Sequence, residues 1–386
     1  MRILIDATTA REGGGTTYIR NILPALLRQA EVHEYHILLS SLYQGKLITE
    51  LPEKLKPVAP RLPATPLVRW LYLQMVVPHL LRRGGFDLFF SVSEVSALHT
   101  PCPRVVLAQN LKFYTPLNSF PQFSQRWHLL IRRLTRQPFA YLTVRSADRI
   151  IFVSESFRQT VMARMHLCRE KTQVIYHGLN PVFRLANDEL SADPIVGIGP
   201  YLLTVSSITE HKNVETLLQG FARVIVEGAD QELQLTVVGS SLNTGLCQSL
   251  LSQASALGIA NRVHFVGHVE PERLVTFYRN AKVFVLPSRL ESFGLPLIEA
   301  MACGAPVVAS DLPVCREICK DAALYFSPSD PETLATQVLT ILRRTDMAEE
   351  LIQRGLERAK DFSWDNTAQQ LVRTFEEVVL EYQRPG

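Results

Sequence analysis

Two glutamates with seven residues between them, Glu291 and Glu299, bracket the segment Glu291-Ser292-Phe293-Gly294-Leu295-Pro296-Leu297-Ile298-Glu299-Ala300. A buried strand ends at Pro287 just before it, and a helix is predicted to open near Leu295. Pro296 suits the first helical turn, where a missing N–H costs nothing. Gly304 falls where the helix end needs a left-handed residue. A helix starting at the carboxyl edge of a sheet turns its unpaired N–H groups and positive dipole end toward a ligand, which suits a diphosphate. Gly294 removes the side chain that would hold a phosphate off the backbone. Glu299, about one turn in, can reach back to vicinal hydroxyls, as carboxylates grip ribose in nucleotide-binding folds. Glu291, on the preceding loop, then meets a different part of the same ligand. The plain alternative is a loop charge and a solvated helix charge, and the intervening Phe-Gly-Leu-Pro favours the ligand-binding reading.

The elements that must position these residues form an alternating series. A chain of 386 residues exceeds one ordinary core and implies two domains. Strand and helix alternate throughout, which predicts α/β architecture, parallel sheets covered by helices. In the first half Ile3–Asp6, His36–Leu39, Leu88–Ser91, Val105–Ala108, Arg149–Val153 and Gln173–Tyr176 read as strands. Gly13-Gly14-Gly15 reads as a turn before a helix from Thr16 to Leu27, and Ser154 as a helix cap. Residues 180–200 have the Pro, Gly, Asn and Asp content of a linker. The second series runs strand Tyr201–Val205, helix Val214–Val226, strand Gln234–Val238, helix Gly245–Leu257 and strand Val263–Val266. Helix Glu270–Tyr278, strand Val283–Leu286, helix Leu295–Cys303, strand Val307–Ala309 and a mostly helical tail from Pro331 follow. The expected division is 1–188, 189–370, and a C-terminal helix at 371–386 packing back toward the first domain. Two doubly wound domains of this kind leave a cleft at the carboxyl ends of their sheets.

Composition removes several classes. The hydrophobic share of 47% and charged share of 20% are those of a soluble globular protein, with no repeat or low-complexity tract. The first segment is too short in apolar residues for a signal peptide. The longest apolar candidate, Leu67 to Leu81, is broken by Arg69, Gln74, Pro78 and His79, so no bilayer span is expected. The expectation is a cytoplasmic protein. Cys315 and Cys319 lie four apart, but no second pair or His cluster supports a metal, and they read as reduced core cysteines. The net charge of +3 conceals an asymmetry: residues 1–190 hold 24 Lys and Arg against 13 Asp and Glu, roughly +11, and the remainder is roughly −8. The first half can therefore face an anionic partner, or simply carry a solvated basic surface.

The glutamate segment resembles the donor motif of glycosyltransferase family four, retaining enzymes of the GT-B architecture. Gly13-Gly14-Gly15-Thr16-Thr17-Tyr18 is similar to the family's first glycine loop. Ile150 to Ser156 resembles its strand-to-helix element, and Lys171 to Asn180 the close of the first domain. Val205-Ser206-Ser207-Ile208 with His211-Lys212-Asn213 resembles the opening of the second, and Val263 to Val269 the strand bordering the nucleobase. The resemblance implies that Lys212, with the Gly294 and Leu295 amides, neutralises the leaving diphosphate, because a fixed cation there acts where charge develops. It implies that Glu299 binds ribose, that Glu291 and the backbone near Phe293 hold donor-sugar hydroxyls, and that Val269 borders the base. Gly14 and Gly15 would let the first domain's loop approach the phosphates. Two positions depart from the pattern. Ser206 and Ser207 stand where the family often has Arg or Lys, so Ser207 is a weaker phosphate ligand, with His211 as a compensating group. Gln109-Asn110 stands where His-Asp or His-Asn is common, so Gln109 would help hold the transferred sugar without carrying charge.

No Asp-x-Asp pair occurs, so no metal and no cofactor are expected, and the nucleotide-diphosphate sugar is the substrate. The expected acceptor is a saccharide or lipid-linked saccharide in polysaccharide assembly. Trp70, Leu71, Tyr72, Leu73, Val76 and Val77 stand among arginines, as do Trp127, Leu129, Leu130 and Ile131. Both segments suit peripheral contact with an anionic membrane, and core helices with arginine-bearing outer faces would read the same. The basic residues follow no nucleic-acid-binding module. The rival readings are a nucleotide-sugar 2-epimerase and a catalytically weak nucleotide-sugar-binding protein.

Overall fold

The computed structural model describes residues 1–8, 14–29, 32–39, 55–58, 66–115, 137–184, 199–240 and 243–384. The chain divides into two compact units: unit 1 comprises Met1–Gly178 with Ser363–Gly386, and unit 2 comprises Leu179–Phe362.

In unit 1 the described strands are β1 (Arg2–Asp6), β2 (Glu34–Leu38), β3 (Lys56–Pro57), β4 (Leu88–Ser91), β5 (Arg104–Ala108), β6 (Arg149–Phe152) and β7 (Thr172–Val174). They form one parallel sheet in the order β3-β2-β1-β4-β5-β6-β7. Leu88, Phe89 and Phe90 of β4 are all fully buried, the continuous apolar run required of a strand covered on both faces. The described helices before the linker are α1 (Gly14–Gln29), α2 (Pro66–Met75), α3 (Val77–Gly84), α4 (described over 137–146) and α5 (Glu155–Met165). Ser154 caps α5 by accepting the Phe157 N–H at 3.3 Å. The predicted turn at Gly13–Gly15 is corrected in part. Gly14 and Gly15 form the first turn of α1, because the buried stripe Tyr18, Ile19, Ile22, Leu23 and Leu26 drives the helix and its first turn follows. Gly13 lies outside the described residues.

Unit 2 contains β8 (Tyr201–Val205), β9 (Gln234–Val238), β10 (Val263–Gly267), β11 (Val283–Leu286), β12 (Val307–Ser310) and β13 (Ala323–Phe326). Their order is β10-β9-β8-β11-β12-β13, all parallel. Its helices are α6 (Val214–Val226), α7 (Thr244–Ala256), α8 (Pro271–Asn280), α9 (Leu295–Ala302), α10 (Pro313–Cys319), α11 (Pro331–Arg343) and α12 (Thr345–Ala359). Leu217, Phe221 and Val224 of α6 share one core with Leu334 and Val338 of α11 and with Val283 and Val285 of β11. This is the doubly wound order, which reverses between β8 and β11 and leaves a crevice beyond their carboxyl ends. Unit 1 repeats it, with the reversal between β1 and β4. The two doubly wound parallel sheets are the fold class the sequence predicts.

The division falls elsewhere than 188/189 and 370/371. Residues Pro181–Arg184 pack within unit 2, where the Phe183 ring lies edge-on to Tyr278 at 5.9 Å and Arg184 Nη2 donates to the carbonyls of Ala359 at 3.1 Å and Phe362 at 2.5 Å. Residues from Ser363 onward belong to α13 (Trp364–Gln383) and its cap, which unit 1 holds as one element. The Trp364 ring meets Tyr18 at 5.5 Å and Phe375 meets Phe90 at 5.1 Å. A Cβ on Gly178 would lie 2.2 Å from the Trp364 backbone nitrogen, so only glycine admits that approach. Of the expected linker at 180–200, residues 185–198 lie outside the described residues.

Candidate active site

In unit 2, the segments beyond β8 and β11 bring together two of the expected residues, Lys212 and Glu291. Beyond β8 the chain makes a single turn, Glu210–Lys212, and passes through Asn213 in the left-handed region, φ 59°. The Asn213 amide donates to the carbonyls of Pro287 and Pro328, both at 2.8 Å, and accepts from Thr216 Oγ1 at 2.9 Å. Those bonds tie the Lys212 turn to the end of β11. Lys212 Nζ lies 2.5 Å from Glu291 Oε1, and Ser288 Oγ donates to the same oxygen at 2.7 Å. The two charged side chains are only 15% and 9% exposed, so neither has bulk water to compensate its charge.

Gly294 begins α9 with φ +91°, a conformation that demands glycine, and a Cβ there would lie 2.9 Å from Leu297 Cδ1 and push that side chain aside. At the opening of α9 Pro296 carries no N–H and the Leu297 N–H donates to the Gly294 carbonyl at 2.9 Å, so the amides left to face a ligand are those of Gly294 and Leu295, and no side chain at Gly294 covers them. Phe293 is buried with its ring edge-on to Phe362 at 5.8 Å, so what it can offer a ligand is backbone. Glu299 is half-buried on α9, and the Tyr278 hydroxyl donates to its Oε2 at 2.8 Å. Burial pushes the Glu299 carboxyl up to about 7, against the pull of that hydrogen bond, and burial lifts the Tyr278 phenol well above its usual range. Ser207 is exposed beyond β8, while the neighbouring Ser206 Oγ is buried without a hydrogen-bond partner among the described residues. Val269 is half-buried beyond β10, and His211 is held by Thr209 Oγ1 at 3.0 Å from Nδ1.

In unit 1, Gln109 follows β5. Its N–H and that of Asn110 donate to Glu94 Oε1 at 2.8 and 2.6 Å, and its side-chain amide donates to the Val92 carbonyl at 2.7 Å. Glu94 is 1% exposed, and burial raises its carboxyl to about 7 despite the backbone N–H bonds. Asp6, equally buried at the end of β1, accepts from the Thr8 N–H at 3.0 Å, Thr8 Oγ1 at 2.7 Å and Ser96 Oγ at 3.1 Å. Its carboxyl is also raised, by burial that outweighs those bonds and the pull of Arg69. Gly14 is exposed at the start of α1, and a Cβ there would meet nothing within 4 Å, so packing within unit 1 does not require glycine.

Sequence reasoning assigned no role to Asn213, Ser288, Tyr278, Glu94 or Asp6. Asn213, Tyr278 and Glu94 act through bonds to partners far along the chain, whereas Ser288 bonds Glu291 three residues on and Asp6 bonds both its neighbour Thr8 and the distant Ser96. Among the described residues no three His, Cys, Asp or Glu side chains are grouped as a metal site, and Cys315 and Cys319 are buried free thiols.

Comparison with known proteins adds two family models that together span most of the chain. One, described as glycosyl transferases group 1, matches residues 192–358; the other, glycosyltransferase family 4, matches residues 12–183. The chain belongs to the group 1 glycosyltransferases. Among curated family members, an O-antigen chain mannosyltransferase B of Escherichia coli is 32% identical over 176 residues, 45% of each chain. The chain spans about half the length of the curated relatives it matches. Likeness in fold is wider. A sucrose-phosphate synthase from Thermosynechococcus elongatus matches with TM-score 0.78 over 99% of this chain and 100% of that one, at 21% identity. Anabaena Alr3699/HepE in complex with UDP-glucose matches with TM-score 0.75 over 98% and 100%, at 19% identity. At these identities the likeness establishes the GT-B fold of the group 1 family and nothing finer.

Proposed function

We propose that this group 1 glycosyltransferase is a retaining enzyme that moves a hexose-type sugar from a nucleotide-diphosphate donor to a saccharide or lipid-linked saccharide acceptor, without a metal, in cell-surface polysaccharide assembly. The observation that carries the reading is the Lys212–Glu291 pair beside the glycine-opened start of α9. In the reaction the bond from the anomeric carbon to the β-phosphate oxygen breaks, and a bond from that carbon to the acceptor oxygen forms on the same face. The acceptor's proton passes to the departing phosphate. Lys212 and the Gly294 and Leu295 amides meet the charge that builds on that phosphate, where fixed donors act most strongly. Glu299 takes the ribose hydroxyls, Glu291 and the backbone near Phe293 the donor sugar, and Val269 borders the base. Ser207, Gly14, Gly15 and Gln109 keep the roles that the resemblance implies. Two relatives support the direction: one named for mannosyl transfer in an O-antigen chain, the other solved with UDP-glucose.

The test is a binding and turnover panel of UDP-, GDP-, ADP- and dTDP-sugars in EDTA, beside Lys212→Ala and Glu299→Ala. One donor binding tightly, lost in both variants, with diphosphate released only when acceptor is added, supports a transferase. Release without acceptor transfer, or binding untouched by both variants, removes this reading.

The acceptor reading includes peripheral membrane contact at the cytoplasmic face. Among the described residues no helix is long and apolar enough to cross a membrane. Val68, Leu71, Met75 and Val76 are exposed at helical spacing along α2 and into the start of α3, with Arg82 and Arg83 exposed further on. The arginine cluster around Trp127 lies outside the described residues. Flotation with vesicles containing phosphatidylglycerol, abolished by Leu71→Asp with Met75→Asp, is the expected result; the double variant floating as well as the parent removes it.

A further inference from the structure

We infer that Tyr278 is a specificity residue: by donating its hydroxyl to Glu299 it fixes that carboxylate for a ribose diol, and so sets how strongly the site prefers a ribonucleoside diphosphate to its 2′-deoxy counterpart. This rests on Glu299 being the ribose ligand.

The Tyr278 ring is completely buried on α8, wedged edge-on between Phe183 at 5.9 Å and Phe284 at 5.4 Å. A ring held from two sides keeps its hydroxyl at one point, and that point is 2.8 Å from Glu299 Oε2. Among the described residues no other side chain donates to this carboxylate. One oxygen is thereby anchored inside the protein and the other is left to an incoming ligand. An ionised carboxylate is acceptor-only, with about four lone-pair sites on two oxygens, and so can take both hydroxyl protons of a diol while keeping the Tyr278 bond. Hydrogen bonds to an ionised acceptor are also the stronger kind. With phenylalanine at 278 nothing steadies either the rotamer or the charge, and a half-buried carboxylate without a donor protonates more readily. Its ability to tell one diol from a single hydroxyl falls with it. Tyr278 touches no ligand in this scheme; it is a positioning residue.

The experiment is calorimetric titration of the full chain, Tyr278→Phe, Glu299→Gln and the double variant at pH 7.5. The probe is the tightest binder among UDP, GDP and ADP, with its 2′-deoxy counterpart. The parent is expected to prefer the ribonucleotide by about tenfold or more, as befits a hydrogen bond to a charged group. Tyr278→Phe should lower that preference to about two- or threefold by weakening the ribonucleotide more than its 2′-deoxy counterpart, which keeps only the 3′-hydroxyl, and the double variant should match Glu299→Gln. Because both ligands meet the same folded fraction, the ratio is immune to any loss of folded protein. An unchanged ratio in Tyr278→Phe, or equal weakening of both ligands, overturns the inference and leaves Tyr278 a packing residue. If Glu299→Gln retains the preference, Glu299 is not the ribose ligand and the underlying reading falls first. If none of the three nucleotides binds the parent, that reading falls altogether.

Discussion

Beyond the ends of β1, β4 and β5, unit 1 buries two carboxylates, Asp6 and Glu94, and spends their lone pairs on its own hydroxyls and backbone N–H groups. Beyond β8 and β11, unit 2 sets an ammonium against a carboxylate, Lys212 against Glu291. The strand order around the two places is the same. Topology therefore supplies a crevice in each unit, and the residues decide whether its polar groups close on the fold or stay available to a charged ligand. The contrast predicts that altering unit 2's groups costs turnover, whereas altering unit 1's changes stability and its pH dependence.

The largest effect should come from Lys212→Ala: a fall in diphosphate release of roughly 100- to 1,000-fold, beyond any fall in melting temperature from leaving Glu291 without its counter-charge. A similar loss of turnover from Glu94→Gln would break the contrast. Glu94→Gln is expected instead to flatten the pH dependence of stability. The Glu94 carboxyl stands near 7 in the fold against an ordinary value of 4.5. Between those values the folded state holds a proton that the unfolded chain does not, so stability falls as pH rises through the window and levels off above it. The share from Glu94 is on the order of 3 kcal/mol. Glu299 and Asp6 are raised too and work in the same direction, so the variant flattens the profile rather than abolishing it. Urea midpoints at pH 5 and pH 7.5, parent beside variant, measure this; an identical difference in both refutes it.

Gly294→Ala should destabilise by about 1–3 kcal/mol, since alanine must hold φ +91° and displace Leu297. Thermal melting checks the stability, and nucleotide titration checks for weakened diphosphate binding. The smallest effect has the opposite sign. Glu291→Gln keeps shape and the Ser288 contact but releases Lys212 from its counter-charge, so a nucleoside diphosphate should bind about threefold to tenfold tighter even though transfer slows. Unchanged or weaker binding would mean that Glu291 does not compete with the diphosphate for Lys212.

Much of this framework is readable from residue order. Tyr201–Val205, Val214–Val226 and Val283–Leu286 are found at their predicted limits because each is a strong periodic run closed by punctuating residues. The two-residue β3, Lys56–Pro57, carries no periodic signal at all, and α10, Pro313–Cys319, has only seven residues in which to show a helical period. Glu291 and Glu299 stand out by their type and spacing, and Lys212 by the family resemblance of its segment. The groups that hold them are ordinary residues whose role exists only once the chain has folded: Tyr278 reaches Glu299 across 21 positions, and Asn213 reaches Pro287 across 74. Gly14 reads as a loop glycine because three successive glycines outweigh local helical pattern, while the stripe that winds Gly14 and Gly15 into α1 starts only at Tyr18.

The return of α13 to unit 1 also bears on the order of events during synthesis. Unit 2 is a continuous stretch, Leu179–Phe362, inserted between the two parts of unit 1. Translation delivers every residue of unit 2 before the helix that packs on α1 has left the ribosome. Domains usually complete in the order of their N-termini; here the unit that begins first is finished last. Until then the aromatic faces of Tyr18 and Phe90, which Trp364 and Phe375 cover in the finished protein, are what a nascent-chain chaperone would meet.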